Sequence, residues 1–317
     1  MHTRRFGKSD LQITPIGIGA WAIGGGEWAG GWGSQDDQES IATIKRGLDL
    51  GINWIDTAAV YGLGRSEEVV GKAIKGRERP LIFTKCSLVW DDNRKVGNSL
   101  KKDSLKREVE SSLKRLGIDY IDLYQIHWPN PDPDIEEGWS TLAELKKEGK
   151  VRHIGVSNFS IDQMERAERI APVETLQPPY SLIHPEAEKD ILPYCEKHDI
   201  GVIVYSPMAS GLLTGQMTEE RIQQMPEDDW RKHDAEYQGT RLKRNLELAH
   251  TLQEIGQMHN VTAGVVAVAW TLRNPGVTAA IVGSRQPKQI EDMVMAAEYR
   301  LSESELQEIE KFVLTHP

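Results

Sequence analysis

Three ionisable residues follow three consecutive apolar runs. Asp56 ends the run 52–55, Lys85 ends 81–84 and His127 ends 121–126, while Tyr61 lies five residues after Asp56. A phenol has an ordinary pKa of about 10 and is too weak an acid to protonate an alkoxide efficiently near neutral pH. A cation within roughly 4–6 Å favours the phenolate and lowers that value by one or more units. Lys85 would be the cation, Asp56 would keep it charged and aimed, and His127 would orient a carbonyl oxygen toward the Tyr61 hydroxyl. Placement of this kind supplies about 100- to 10,000-fold in rate. The set describes carbonyl reduction, with hydride going to carbon and a proton to oxygen. Any one of the four would pass for a solvated loop residue; together they do chemistry only if the strand ends converge.

Convergence depends on the elements that carry them. Apolar runs at 16–18, 52–55, 81–84, 121–126, 151–156, 175–177, 202–205 and 279–282 alternate with segments of helical period. Continuous apolar runs imply strands buried on both faces, as in a parallel sheet. Helix starts are marked by Asp36-Asp37, by Ser66 before Glu67 and Glu68, and by the capping-box pairs Ser160/Gln163 and Ser302/Glu305. Leu105, Val109, Leu113 and Leu116 recur on one helical face. Arg4 to Phe6 and Leu11 to Ile13 flank a turn-rich Gly7-Lys8-Ser9-Asp10 and predict a hairpin. Eight strands alternating with helices predict an α/β fold, a (β/α)8 TIM barrel with an N-terminal β-hairpin, the alternative being an open doubly wound sheet. Residues 1–317 would form a single domain. The strand ends of such a barrel meet at one mouth, where active sites sit. A long polar segment, 218–238, is expected to be a lid or poorly ordered.

Composition narrows the function. Lys and Arg number 38 against 48 Asp and Glu, for a net charge of −10. An acidic chain with scattered basic residues is a poor nucleic-acid binder. No apolar stretch approaches the roughly 18–20 residues that cross a bilayer, and Met1-His2-Thr3-Arg4-Arg5 leads into no secretion segment. Two cysteines, Cys86 and Cys195, make neither a disulfide framework nor a zinc set and suit a reducing compartment. These features predict a cytoplasmic protein, monomeric, that handles a small-molecule carbonyl substrate.

Hydride needs a donor, and with neither cysteine placed for redox work a nicotinamide cofactor is the default. Gly17-Ile18-Gly19-Ala20-Trp21-Ala22 formally matches a dinucleotide fingerprint, but Gly24-Gly25-Gly26 and further Trp follow it instead of a helix, so the match is set aside. Gly283-Ser284-Arg285, with Pro287 opening a helix, better fits a phosphate site after the eighth strand. Arg285 there would hold a ribose 2′-phosphate by charge-assisted hydrogen bonds of about 1.5–3 kcal/mol each, favouring NADP over NAD. Tyr205 would stack on a nicotinamide or pack in the core. Ser157 and Asn158 would hold its carboxamide or serve as turn residues, and Gln177 needs a buried partner that a cofactor amide would satisfy. Of nine Trp, five (Trp21, Trp28, Trp32, Trp90 and Trp128) fall in loops predicted at the mouth, and their aromatic walls favour apolar or planar carbonyl compounds. Trp54, Trp139 and Trp270 are expected in the core.

Over nearly its whole length the sequence resembles the aldo-keto reductases. The resemblance rests on Asp56-Thr57-Ala58 with Tyr61-Gly62 and Ser66-Glu67, Leu116-Gly117 with Tyr120-Ile121-Asp122-Leu123, His127-Trp128, Gly155-Val156-Ser157-Asn158-Phe159 and Tyr205-Ser206-Pro207. It looks closest to the bacterial branch of NADPH-dependent general-stress and inositol-cluster reductases, on Gln177-Pro178-Pro179-Tyr180 and the Gly-Ser-Arg segment. The resemblance implies Tyr61 as proton donor, tuned by Lys85 and Asp56, with His127 orienting the carbonyl. It implies NADP(H) held by Ser157, Asn158, Gln177 and Tyr205 at the nicotinamide, with Gly19, Ala20, Trp21 and Asp56 beside it. Ser206, Pro207, Met208, Ala209, Gly211 and Leu213 would line the pyrophosphate. Gly283, Ser284, Arg285, Gln289 and Asp292 would reach the adenosine phosphate. Two departures stand out: Gly283 occupies a position where many relatives carry Lys, and Ala20 replaces a common Thr. A regulatory NADPH-binding protein and a Schiff-base aldolase on Lys85 are the competing readings; the full set of four argues against the first, and Asp56, which keeps Lys85 charged, against the second.

Overall fold

The computed structural model describes residues Met1–His316. Eight parallel strands close into a barrel: β3 (Ile16–Gly19), β4 (Trp54–Asp56), β5 (Leu81–Cys86), β8 (Ile121–Ile126), β9 (Val151–Ser157), β10 (Thr175–Gln177), β11 (Gly201–Val204) and β12 (Ala279–Gly283), with β12 pairing back onto β3. The predicted hairpin, β1 (Arg4–Arg5) and β2 (Gln12–Ile13), pairs antiparallel below the barrel. A second hairpin, β6 (Leu88–Trp90) and β7 (Val96–Asn98), stands above β5. Helices α1 (Asp37–Asp49), α2 (Arg65–Ile74), α3 (Lys102–Leu116), α4 (Ile135–Lys147), α5 (Ile161–Glu168) and α6 (Ile191–Lys197) follow successive strands. After β11 come α7 (Glu219–Gln223), α8 (Gly239–Met258) and α9 (Ala263–Leu272); after β12 come α10 (Pro287–Met293) and α11 (Glu303–Thr315). Among the described residues, no helix is long and apolar enough to cross a membrane.

The barrel interior is layered by strand alternation. Trp54, Phe83, Leu123, Ile203 and Ala279 point inward at the lower level and pack with Phe6, Leu11 and Ile13 of the hairpin, which plugs the floor. Two residues further along the same strands, the inward positions are polar: Asp56, Lys85 and Gln125. Gly17 explains the glycines of β3. A Cβ there would lie 2.2 Å from the Trp54 ring, so the glycine makes room for an indole whose N–H donates to Thr14 O at 2.9 Å. That segment is a barrel strand and not a phosphate loop.

Capping boxes form at Ser160/Gln163 and Ser302/Glu305, and Asp36 caps α1. Ser66 is not a cap. It lies inside α2, which starts after left-handed Gly64, and its buried hydroxyl donates to Ala20 O at 2.8 Å and contacts Thr57 Oγ1 at 2.9 Å. The polar segment 218–238 holds α7 and two 3₁₀ turns, Trp230–His233 and Ala235–Tyr237.

Candidate active site

The register of the sheet carries the four candidate residues to one rim. Gly19 pairs with Asp56 and Lys85 with Gln125 across neighbouring strands. Asp56 and Lys85 lie within β4 and β5, inside the barrel and not beyond the strand ends as the apolar runs suggested. Lys85 is 1% exposed. Its ammonium donates to Asp56 Oδ1 at 2.5 Å, to Thr57 O at 3.0 Å and to the Tyr61 hydroxyl at 3.4 Å. Tyr61 meets His127 edge to face with ring centroids 5.7 Å apart. The phenol, ammonium, carboxylate and imidazole therefore surround one spot.

The electrostatics differ from the expectation in one respect. Burial pushes the Tyr61 hydroxyl well above its ordinary value, and the Asp56 charge adds to this. The depression expected from Lys85, whose charge is already paired at contact distance with Asp56, is outweighed by desolvation. Tyr61 is therefore protonated at neutral pH. Burial lowers the Lys85 value against the opposing pull of Asp56 and Glu67. His127 is held well below its ordinary range by burial and then by Lys85, so its imidazole is neutral, with one N–H to donate.

A groove of about 760 Å³ runs from this spot across the barrel mouth. Gly19, Ala20, Trp21, Asp56, Ser157, Asn158, Gln177, Tyr205, Ser206, Pro207, Met208, Gly211, Gly283, Arg285, Gln289 and Asp292 all line it. Tyr205 donates to Asn158 Oδ1 at 2.9 Å, and Asn158 Nδ2 donates to His127 O at 3.0 Å, which ties the middle of the groove to the imidazole segment. Gln289 Oε1 accepts from the Arg285 amide at 2.7 Å, while Asp292 accepts from Lys288 at 2.9 Å. Ser284 does not line the groove, but its hydroxyl is buried without a partner. Ala209 and Leu213 do not line the groove either: both are buried, in a stretch with non-helical backbone angles at Ser210, Gly211 and Leu213, and the Leu213 amide is already bonded to Met208 O.

Trp21, Trp28, Trp32 and Trp128 line the groove. Trp90 does not. It stands on the β6–β7 hairpin with the Arg115 guanidinium 5.9 Å from its ring. Trp230, from the segment after β11, packs against two of the groove tryptophans. Its ring stacks on Trp21 at 5.4 Å and meets Trp32 edge-on at 5.9 Å, while its amide donates to Gly31 O at 3.2 Å.

Sequence reasoning also passed over Arg231, whose guanidinium pairs with Asp229 at 2.6 Å and lies 4.3 Å from the Trp32 ring. It passed over Gln35, whose Oε1 accepts from Arg285 Nε at 2.6 Å. It passed over Gln125, and it read Glu67 as a first-turn acid of a helix, where the structure buries it fully between Thr84 at 2.6 Å and Arg115 at 2.7 Å. Gln125 had a readable signal: it lies two residues before His127 on a strand whose inward face recurs every second residue.

A closed parallel barrel that gathers these four groups beside a groove of about 760 Å³ defines a class, the nicotinamide-dependent barrel oxidoreductases. The Aldo/keto reductase family model matches residues 15–314. The chain is 42% identical to the aldo-keto reductase YhdN of Bacillus subtilis over 303 residues, covering 94% of this chain and 89% of that one. It is 34% identical to the NADH-specific methylglyoxal reductase of Escherichia coli, covering 94% of each chain. The glycerol dehydrogenase AKR11B4 from Gluconobacter oxydans superposes with a TM-score of 0.89 at 37% identity, covering 99% of this chain and 95% of that one. The chain belongs to the aldo/keto reductase family, oxidoreductases that act on carbonyl compounds with a nicotinamide cofactor.

Proposed function

We propose that the protein is an NADPH-dependent reductase of aldehydes and ketones, with residues 1–317 as one domain, and that Tyr61 is its proton donor. The observation that carries the reading is the Lys85 ammonium, bonded at once to Asp56 and to the Tyr61 hydroxyl. A reduced nicotinamide bound in the groove would supply the hydride. The groove residues fit such a cofactor: three groove-lining arginines, Arg221, Arg231 and Arg285, suit an anionic phosphate-bearing molecule, and next to Arg285 the buried Ser284 hydroxyl has no partner. Ser157, Asn158, Gln177 and Tyr205 would hold its amide end. Arg285 would favour the 2′-phosphate form, in contrast to the relative named as NADH-specific.

The chain's own groups divide the remaining work. The neutral His127 imidazole donates a hydrogen bond that orients the carbonyl oxygen toward Tyr61. The Tyr61 hydroxyl delivers its proton to that oxygen as negative charge builds there. Lys85 stabilises the emerging phenolate and Asp56 keeps Lys85 charged and fixed. Trp21, Trp28 and Trp128 exclude water and present flat apolar walls, which suits planar or apolar carbonyl compounds. Tyr61→Phe removes the hydroxyl, and with it the transferable proton, while keeping the ring. It should abolish NADPH oxidation with a panel of activated aldehydes while leaving NADPH binding, followed by fluorescence, unchanged. Turnover retained in Tyr61→Phe would overturn the assignment.

A further inference from the structure

We propose that Gln125 is a positioning residue for the proton-donating group, its amide locking Asp56 and Gln177 together so that one Asp56 oxygen stays on Lys85. The inference rests on the reading of Tyr61 as proton donor. Asp56 uses Oδ1 for Lys85, and its Oδ2 accepts from Gln177 Nε2 at 2.9 Å and from Gln125 Nε2 at 3.4 Å. Gln177 Nε2 also donates to Gln125 Oε1 at 3.4 Å. An ionised carboxylate only accepts, so both amide NH2 groups must turn toward it, which fixes the orientation of both glutamines. The three side chains close a triangle in the barrel interior at 0%, 2% and 3% exposure for Gln125, Gln177 and Asp56.

Gln125 pairs across to Gly155, which makes room for Thr175, whose Oγ1 would lie 2.0 Å from a Cβ there, and leaves Gln125 Cγ at ordinary van der Waals distance, 3.4 Å. The triangle joins the groove wall to the ion pair, because Gln177 lines the groove and Asp56 holds Lys85. With leucine at 125, Asp56 Oδ2 keeps only the Gln177 donor, and Gln177 loses the Gln125 acceptor that holds it in place. Asp56 is then free to turn off Lys85. The charged and titratable groups facing this cluster are Lys85, Tyr61 and His127, with Glu67 and Arg115 behind Lys85. A Lys85 with a weaker counter-charge gives up its proton at lower pH, so the alkaline fall in reduction rate moves down.

The test compares the parent, Gln125→Leu, Gln125→Glu and Tyr61→Phe as full-length chains, with NADPH and an aromatic aldehyde such as 4-nitrobenzaldehyde. For Gln125→Leu, kcat should drop about 10-fold with the aldehyde KM within about threefold, and the alkaline limb of kcat should move down by about one pH unit. A glutamic acid at 125 donates to Asp56 only when protonated, so Gln125→Glu should recover activity as pH falls. Parent-like kcat and an unmoved alkaline limb in Gln125→Leu overturn the proposal, as does a loss confined to KM. If the leucine variant does not fold by thermal melting, Gln125→Glu decides alone, and a pH profile superimposable on the parent's overturns it. An inactive Tyr61→Phe beside parent-like Gln125 variants removes the Gln125 role only; an active Tyr61→Phe removes both readings.

Discussion

Removing the ammonium while keeping the length of its side chain, by Lys85→Met, tests the electrostatic core of the proposed mechanism. Lys85 Nζ lies 3.4 Å from the Tyr61 oxygen. At an effective dielectric of about 20, a full phenolate at that distance gains about 5 kcal/mol from the ammonium. With the proton about half transferred at the transition state, roughly half of that applies, about 2.5 kcal/mol or a ~70-fold slower reaction without it. The substitution also leaves the Asp56 carboxylate unpaired beside Tyr61, where its charge already works against the phenolate, so the loss should reach about 100- to 1,000-fold in kcat. NADPH oxidation followed by absorbance at saturating aldehyde gives kcat, and quenching of the groove tryptophans gives cofactor binding, expected within about threefold of the parent. A kcat within about threefold of the parent, with binding intact, refutes the reasoning. The sign with pH is fixed too. Burial lowers the Lys85 value, so the parent's reduction rate should fall on the alkaline side below the ordinary lysine range, and that limb should be missing in Lys85→Met.

Three other measurements bear on the groove and its supports. Arg285→Ala should weaken NADPH binding about 10- to 100-fold, the worth of one charge-assisted hydrogen bond, and leave NADH within about threefold; equal weakening of the two in fluorescence titrations would contradict the 2′-phosphate role. Trp230→Ala removes three aromatic contacts, with Trp21, Trp32 and Tyr237, worth about 0.5–1.5 kcal/mol each, so amide exchange over 218–238 should quicken at least about threefold; unchanged exchange would show that the Trp230 stack does not hold the segment down. Glu108, half-buried beside Ser87 and Ser104, is pushed up to about 7 by desolvation from an ordinary 4.5. Its folded form holds the proton to higher pH than the unfolded chain, so it costs stability as pH rises from about 4.5 through 7. Glu108→Gln should melt a few degrees above the parent at pH 8, with no gain at pH 5; the same shift at both pH values would disprove the linkage.

Much of the fold is a local property of the chain. The eight barrel runs are apolar on consecutive residues because strands packed between a filled interior and a layer of helices are buried on both faces. The hairpin and the two Ser capping boxes follow from short-range hydrogen bonding that any chain with those residues would make. Asp56, Lys85 and His127 were legible as a group because they follow such runs. Ser66 misled for the same local reason: a serine before two glutamates has the pattern of a cap, and only the left-handed turn at Gly64 moves the helix start and buries it.

What no local pattern contains is the partner of each side chain. The register of β5 on β8 sets Lys85 against Gln125, and closure of β12 on β3 completes the ring that turns Asp56, Gln125 and Gln177 toward one another from positions up to 121 residues apart. Trp90 and Trp230 are both tryptophans in connections above the barrel, yet one lies beside Arg115 and the other stacks on Trp21. The sequence by itself determined which segments become strands and which residue types face the mouth, since alternation and burial are written residue by residue. The tertiary structure alone decided which of them touch and which proton each holds, since contact across a barrel depends on its closure and the pKa values on the water that closure excludes.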